Sequence, residues 1–444
     1  MRLPPAVLAP LVLPALLAAR ADAQAGEPGP PPLAIEHVAV VELGAGRILP
    51  DRTVVVREGR VRSVEPAGAP PPAGTLRIDG RGRFLMTGLA DLHVHLFDAG
   101  DLLLYVANGV TTIRNLGGHG AADSILRIRR EVGEGRRLGP TIFTSGNWLD
   151  GDPPVREVNT IVRTPADAAG EVAAARRAGY DFVKVYATLA PEVYRGLLRA
   201  ARRWEMPVTG HGPASISIEE ALDSGQAAID HLAQDPVAAG LRLDALARRT
   251  AERGVAVTST LVMLQRAVSM RGNPDYLQEL LGSAEVRYLS PETRDFWGRA
   301  PFVALPRTAA AEALYPGAER LARTLVRRGA RLMLGTDAGL WGNPPGFSAV
   351  EELRRLVDAG LTPAQALRTG TLAAAGFLNH HVPGADQPGE VRVGMRADLL
   401  LLEGNPLEDV GQVARRAGVV LRGRWLPESE LRDSLERLAS RHAR

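Results

Sequence analysis

Eight short strand-like segments alternate with helix-like segments across the middle of the chain, and this alternation constrains the fold more than any other feature. The strand-like segments are residues 88–96, 110–116, 141–146, 182–187, 207–211, 227–232, 256–261 and 331–337. Strands that alternate with helices form parallel sheets, because each helix carries the chain back across the sheet. The sequence therefore predicts an α/β fold with a (β/α)8 TIM barrel, and a doubly wound open sheet is the alternative.

Local signals support helices between these segments. Thr164-Pro165, with Asp167 in the first turn, marks the beginning of one helix, and Gly179 marks its end. Ser217, with a glutamate three residues later, gives a capping-box pattern at the beginning of another helix.

A small β domain is predicted from the two ends of the chain. Residues 33–83 alternate between apolar and polar side chains, with Glu58-Gly59 as a hairpin turn. A similar pattern returns in residues 384–426, and neither segment is long enough to close a sheet alone. We therefore predict a composite β-sandwich beside a barrel of residues 84–383, followed by a C-terminal helix over residues 427–444.

Residues 1–23 have the pattern of a secretory signal peptide. A positive charge at Arg2 precedes an apolar run, and Ala21-Asp22-Ala23 supplies the small residues typical of a cleavage site. Residues 24–32 then form a linker. An uncleaved membrane anchor is the alternative, although the run is short and interrupted by prolines. The chain contains no cysteine, so we expect export to a periplasm or to the medium without disulfides.

The composition argues against several classes of partner. The formal net charge is +3, and no block of basic residues with interleaved aromatic residues occurs, so we expect no nucleic-acid partner. No segment beyond the signal peptide is apolar enough to cross a membrane. A small-molecule substrate is the expected partner, and a homo-oligomer is compatible with the sequence.

Six polar residues that can bind a metal lie toward the carboxyl ends of the predicted strands. They are His93, His95, Lys184, His211, His231 and Asp337. The active sites of TIM barrels are built on this face. Each residue alone has a structural explanation, such as an exposed histidine pair, a capping aspartate or a lysine at a sheet edge. Buried and unpaired together they would be costly, whereas a divalent metal would satisfy them, and Zn²⁺ suits imidazole and carboxylate ligands best.

Lys184 is the only lysine among the 53 basic residues of the chain. It lies in an apolar run, and burial makes an amine lose its proton more easily. A neutral amine can add CO₂ to form a carbamate, whose two oxygens can bridge two metal ions. Arginine cannot react in this way because its guanidinium stays charged. We therefore predict a CO₂-derived carbamate on Lys184.

The six residues lie in the motifs DLHVH, VKVY, TGH, IDHL and GTDAG. This set resembles the amidohydrolase superfamily in its binuclear form with a carboxylated lysine. The C-terminal stretch VRVGMRADLLLLEGNPLEDV also resembles the return of the chain into the β-sandwich of that superfamily. The resemblance is strongest to the branch that contains imidazolonepropionase-like and Xaa-Pro dipeptidase-like hydrolases.

This resemblance implies a role for each residue. His93, His95 and Asp337 would bind one metal ion, and His211 and His231 would bind the second. Two divalent ions, most naturally Zn²⁺, would be bridged by a hydroxide and by the carbamate on the lysine. The catalytic residue Asp337 would take the hydroxide proton and deliver it to the leaving nitrogen. The implied activity is hydrolysis of a non-aromatic C–N bond in an amide, a peptide-like substrate or a cyclic amide.

Two other functions remain open. A mononuclear deaminase or an imidazolonepropionase-type ring hydrolase usually lacks the lysine and uses a glutamate close to the fifth-strand histidine. Glu219 and Glu220 lie well into the next helix instead. A non-catalytic binding protein on the same barrel would typically have lost ligands, and none of the six is missing here.

The sequence constrains substrate contacts less closely. Tyr186 lies two residues beyond the lysine and His119 follows the second strand, so both are candidate substrate-binding residues. Gly212-Pro213-Ala214 follow His211 where the dipeptidase-like branch has an aromatic residue. Dipeptide specificity therefore does not follow from the resemblance.

A long insertion, residues 265–316, separates the last two predicted strands. A helix start at Ser290-Pro291 is followed by Trp297 and Arg299. We expect the insertion to cover the mouth of the barrel, where Arg299 would be able to bind a substrate carboxylate.

Overall fold

A computed structural model describes residues 31–68, 70–117, 122–231 and 243–443 of the 444-residue chain. The predicted signal peptide, most of the predicted linker and His119 lie outside the described residues. The described strands are, in chain order, β1 (Leu33–Glu42), β2 (Arg47–Arg57), β3 (Arg60–Pro66), β4 (Leu76–Asp79), β5 (Phe84–Thr87), β6 (Leu89–Val94), β7 (Val110–Asn115), β8 (Thr141–Asp150), β9 (Thr160–Ile161), β10 (Phe182–Val185), β11 (Val208–Gly210), β12 (Ala228–Asp230), β13 (Ala256–Thr258), β14 (Leu332–Met333), β15 (Leu399–Leu402), β16 (Arg416–Leu421) and β17 (Arg424–Pro427).

The helices lie mainly between the strands of the central region. They are α1 (Asp101–Ala107), α2 (Ala122–Gly133), α3 (Pro165–Ala178), α4 (Pro191–Arg203), α5 (Ile218–Asp223), α6 (Leu243–Arg253), α7 (Leu261–Met270), α8 (Pro274–Leu281), α9 (Pro291–Gly298), α10 (Ala309–Arg327), α11 (Phe347–Asp358), α12 (Pro363–Thr369), α13 (Leu372–His381) and α14 (Glu428–His442). Short 3₁₀ helices cover Ala284–Tyr288, Pro301–Ala304 and Val410–Ala414. Among the described residues, no helix combines the length and apolar character needed to cross a bilayer.

Eight parallel strands form the predicted barrel. They are hydrogen-bonded in the order β6–β7–β8–β10–β11–β12–β13–β14, and β9 pairs with β8 outside this path. A parallel bridge between Val94 and Ala338 joins the first strand to the segment that follows the last one. This bridge rules out the open doubly wound sheet, and each of the eight predicted segments overlaps one strand of the barrel.

The second sheet is built from both ends of the chain, as predicted. Its eight strands run in the order β17–β16–β15–β5–β1–β2–β3, with β4 paired to β1. Strand β15, from the C-terminal part of the chain, pairs antiparallel with β5 from the N-terminal part. Both parts of the chain are therefore needed to form this sheet. The β2–β3 hairpin turns at Glu58 and Gly59, which both have positive φ, as two-residue hairpin turns require.

The predicted helix starts are also found. The Thr164 side chain accepts a hydrogen bond from the Asp167 N–H, the Asp167 side chain caps the Thr164 N–H in return, and Gly179 ends α3 in the left-handed region. The side chain of Ser217 accepts a hydrogen bond from the backbone N–H of Glu220 at the beginning of α5. These short polar contacts fix where the helices that surround the barrel begin and end.

Candidate metal centre

Four histidines and an aspartate meet at the carboxyl end of the barrel. His93 and His95 lie at the end of β6, while His211, His231 and Asp337 follow β11, β12 and β14. The imidazole rings of His93 and His95 have centroids 5.4 Å apart. The ring of His231 lies 4.4 Å from that of His93 and 5.0 Å from that of His211. The strand order of the barrel therefore gathers side chains that are far apart in the sequence.

Three of these residues already form a compact ligand set. The Nε2 atoms of His93 and His95 lie 3.1 and 3.0 Å from Oδ1 of Asp337. All three side chains are buried, and their ligand atoms lie within 4.8 Å of one another. Within the described part of the chain, Oδ1 of Asp337 and Nδ1 of His93 have no partner in hydrogen-bonding geometry. Buried donor atoms that converge in this way fit a divalent ion placed between them.

Neighbouring groups orient two of the histidines, and for His95 the neighbour also fixes the tautomer. Nδ1 of His95 lies 2.7 Å from the carbonyl oxygen of Gly117, and because a carbonyl only accepts, Nδ1 carries the hydrogen. Nδ1 of His231 lies 2.9 Å from Oγ1 of Thr260, which can accept in the same way. The Nε2 lone pairs are then available, as in metal sites whose histidines are oriented by a second partner.

Burial favours the neutral form of three of the histidines, and neighbouring histidines favour the ionised form of Asp337. Burial lowers the pKa of His95 and His211, and it lowers the pKa of His231 to about 3. Burial alone would raise the pKa of Asp337, but His93 and His95 outweigh it and hold that pKa well below the usual range. Neutral imidazoles and an ionised carboxylate are the donor set of a zinc site.

Lys184 lies in the same cluster, on β10. Its side chain is 1% exposed, and Nζ donates a hydrogen bond of 2.7 Å to Oδ2 of Asp230. Burial lowers the pKa of the Lys184 amine, against the opposing effect of Asp230. The other oxygen of Asp230, Oδ1, lies 3.7 Å from Nδ1 of His93, so one carboxylate lies between the amine and the histidine cluster. The structure thus brings all six sequence-predicted ligands together.

Sequence reasoning missed a buried ion pair beneath these ligands. Arg114 and Asp230 are both 0% exposed. The guanidinium of Arg114 donates to Oδ1 of Asp230 at 2.8 Å and to the carbonyl oxygen of Leu92 at 2.6 Å. It also donates to the hydroxyls of Thr209 and Thr258. An aspartate inside the apolar run AAIDHL was a visible signal, whereas Arg114 is one arginine among many.

A residue with a backbone φ in the left-handed region follows each of three successive barrel strands, β12, β13 and β14. His231, Thr260 and Asp337 have φ values of 71°, 50° and 59°. This region is unfavourable for residues with a Cβ atom and is found mostly where function requires it. The backbone is therefore strained at two candidate ligands, His231 and Asp337, and at Thr260, whose hydroxyl orients His231.

Tyr186 and Trp148 form an aromatic wall beside the candidate metal ligands. The ring of Tyr186 lies 4.3 Å from that of His211 and 5.3 Å from that of Trp148. Trp148 in turn lies 5.3 Å from His95. Burial raises the pKa of Tyr186 to about 12, so its hydroxyl stays protonated and can donate. Tyr186 therefore lies beside the candidate ligands, and its contact with a substrate stays a prediction.

The insertion packs against the loop that carries Asp337. Nε1 of Trp297 donates a hydrogen bond of 2.8 Å to the carbonyl oxygen of Gly339. The Phe296 ring stacks on Trp341 with centroids 5.3 Å apart. Arg299 is exposed and bonds to Asp295 one helical turn away, so its guanidinium already has a carboxylate partner on the surface.

Comparisons with known proteins agree with this geometry. The model of the family described as "Amidohydrolase family" matches residues 84–426. An imidazolonepropionase from Deinococcus radiodurans is 27% identical over 401 residues, which cover 83% of this chain and 89% of that protein. The solved structure of bottromycin amidohydrolase superposes with a TM-score of 0.74 at 26% identity, covering 93% of this chain and 90% of the other. A solved Xaa-Pro dipeptidase shares the fold, with a TM-score of 0.67 at 19% identity.

The match to another relative is partial. Ochratoxinase from Aspergillus niger is 23% identical over 343 residues, which cover 68% of this chain and 62% of ochratoxinase. The chain therefore spans less than two thirds of the length of that curated relative.

Proposed function

This chain belongs to the amidohydrolase family, and from that membership we propose that it is a metal-dependent hydrolase of a C–N bond in an amide, a peptide-like substrate or a cyclic amide. The observation that carries the proposal is the convergence of His93, His95 and Asp337 within 4.8 Å. The likeness to bottromycin amidohydrolase and to imidazolonepropionase supports the class of bond.

Each ligand has a place in this proposal. His93, His95 and Asp337 would hold one divalent ion, His211 and His231 would hold the second, and a carbamate on Lys184 would contact both. The chemistry that divalent ions such as Zn²⁺ would supply here is a lower pKa for the attacking water and polarisation of the substrate carbonyl.

The protein side chains then move the proton and shape the site. The carboxylate of Asp337, which is ionised at neutral pH, accepts the proton of the attacking water and returns it to the leaving nitrogen. The protonated hydroxyl of Tyr186 donates a hydrogen bond to the substrate. The buried ring of Trp148 packs against His95, where it would limit the entry of water.

Arg114 would allow the charge at Lys184 to change from the positive charge of an amine to the negative charge of a carbamate. A carbamate on Lys184 would place an anion near Asp230, where a cation now lies. Arg114 bonds to the other carboxylate oxygen of Asp230 and would remain to neutralise it. A carbamate at this position would therefore leave Asp230 with a paired charge.

The metal content per chain tests this proposal. Protein purified with added bicarbonate and Zn²⁺ is expected to contain about two ions, falling to one or fewer in Lys184→Ala. Lys184→Arg keeps a cation beside Asp230 but cannot form the carbamate, so it should also lose metal. Equal content in all three proteins would overturn the bridging role of Lys184.

A second candidate function is a ring hydrolase with one metal ion. It is favoured by the similarity to imidazolonepropionase and by the three-residue set that forms a compact group without Lys184. In that case one ion per chain would be found in both the parent protein and Lys184→Ala. Cyclic amides and imidazolones would then be the substrates to test.

We also propose that the chain is exported to the periplasm or secreted. The basis is the signal-peptide pattern of residues 1–23. Expression of the full chain in a Gram-negative host should give a mature protein that begins at Gln24 in the periplasmic fraction. Full-length protein in the membrane fraction would instead support an uncleaved anchor.

A further inference from the structure

Arg156 lies in the loop after β8, beside the aromatic wall of the site. Its guanidinium carbon lies 4.8 Å from the ring centroid of Trp341 and 5.8 Å from that of Trp148. The guanidinium also interacts with the hydroxyl of Tyr186. Among the residues that the structure describes, no acidic side chain forms an ion pair with Arg156. This cation is therefore held by aromatic side chains with its charge uncompensated.

Two adjacent side chains here carry hydrogen-bond donors without partners. Nε of Arg156 and Nε1 of Trp341 are both buried and have no acceptor within the described part of the chain. Both atoms can only donate, and leaving a buried donor unpaired is unfavourable. A ligand with acceptor oxygens and a negative charge would satisfy both requirements.

The carboxylate of Asp150 anchors the loop that carries Arg156, and it bonds to other groups of the chain instead of to Arg156. Oδ2 of Asp150 accepts hydrogen bonds of 2.7 Å from the backbone N–H of Val155 and from Nδ2 of Asn159. Oδ1 accepts from the N–H and the hydroxyl of Thr188. Asp150 thus holds the loop in place, and both of its carboxylate oxygens bond to groups other than Arg156. The positive charge of Arg156 is not neutralised by this carboxylate.

Tyr186 and Trp148 each lie beside both Arg156 and one of the candidate ligands. Tyr186 contacts Arg156 and the ring of His211. Trp148 contacts Arg156 and the ring of His95 in the same way. Arg156 is therefore one aromatic side chain away from the candidate ligands, close enough for a substrate with its scissile bond at those ligands to reach it with another group.

We propose that Arg156, together with Nε1 of Trp341, binds a carboxylate of the substrate. The substrates are then N-acyl amino acids or peptides with a free carboxylate, and an apolar side chain packs on the tryptophans. The inference rests on the proposed function for the bond that is cleaved. Binding of the carboxylate itself can be measured without cleavage.

Ligand binding tests the site directly. The probes are 3-phenylpropanoate and its neutral analogue 3-phenylpropan-1-ol, titrated calorimetrically into the metal-loaded full chain. We expect the acid to bind at least about tenfold more tightly than the alcohol, as a charge-assisted contact should provide. Arg156→Met should abolish this preference, Arg156→Lys should keep part of it, and Arg127→Met, at an exposed arginine of α2, should match the parent. A preference that survives in Arg156→Met, or none in the parent, would overturn the proposal.

Cleavage assays separate this inference from the proposed function. N-acetylphenylalanine and its C-terminal amide are compared by kcat/KM in the parent and in Arg156→Met. Preferred binding of the acid without cleavage would reject the proposed activity and keep the carboxylate site. Equal cleavage of both compounds by the parent would keep the activity and reject the carboxylate site.

Discussion

At the scale of single residues, the barrel buries Arg114 and Asp230 as a pair that needs no metal. Arg114→Met would remove one of the two cations that donate to Asp230, together with a donor to the carbonyl oxygen of Leu92. We expect the free energy of unfolding to fall by about 3–5 kcal/mol, as when one partner of a buried ion pair is removed. Urea titration measures this loss. The control is Arg163→Met, which breaks an exposed pair with Asp152 and should cost less than about 1 kcal/mol.

Single residues also show what the sequence can and cannot predict about the site. His93, Lys184 and Asp337 could be predicted because parallel strands deliver their last residues to one face. The partner of Asp230 could not, because Arg114 lies 116 residues away and many other arginines compete for the role. Arg156 depends on how a loop folds around Asp150, which no periodic pattern encodes.

At the scale of elements, α11 holds the start of α7. The carboxylate of Glu352 accepts the backbone N–H groups of Leu261 and Val262, and the residue before them, Thr260, orients His231. Burial raises the pKa of Glu352 to about 7. The folded chain therefore keeps a proton between about pH 4.5 and 7 that the unfolded chain has released. This contribution to stability is complete below about pH 4.5 and is lost as the pH rises through 7.

Glu352→Gln removes this titration. Relative to the variant, the parent should lose on the order of 2–3 kcal/mol of unfolding free energy between pH 5 and pH 8. Urea titrations of both metal-free proteins at four pH values measure the difference. A constant difference across this range would contradict the assignment.

The elements themselves were largely predictable. Each barrel strand coincided with a short apolar segment, and Thr164 and Ser217 carried their own helix-start signals. The two-residue strands β9 and β14 show the limit. Their ends are set by pairing with neighbours that are distant in the sequence, so local composition could not define them.

At the scale of the whole molecule, the two chain ends and the barrel share one core. Leu43 near the N-terminal sheet and Leu400 of β15 lie in the same hydrophobic cluster as Leu89 and Val110 of the barrel. A second cluster joins Leu438 of α14 to barrel and insertion residues, including Leu104, Val286 and Trp297. The domains should therefore unfold together.

Leu438→Ala tests this coupling. The variant should lose about 2–5 kcal/mol of unfolding free energy, because it opens a cavity in a fully packed site. Its urea transition should remain single when followed by circular dichroism and by tryptophan fluorescence. If the two signals were to separate, the C-terminal helix would be unfolding independently of the barrel.

The solitary lysine also affects how the protein can be handled. Reagents that attack primary amines, including succinimidyl esters and aldehyde fixatives, find only the α-amino group on the folded surface, because Lys184 is 1% exposed. Mass spectrometry should show one label on the native chain and a second after denaturation. The appearance of the second label would then time the opening of the catalytic face. Immobilisation of the native protein through amines would therefore attach each molecule through its α-amino group and leave Lys184 unmodified.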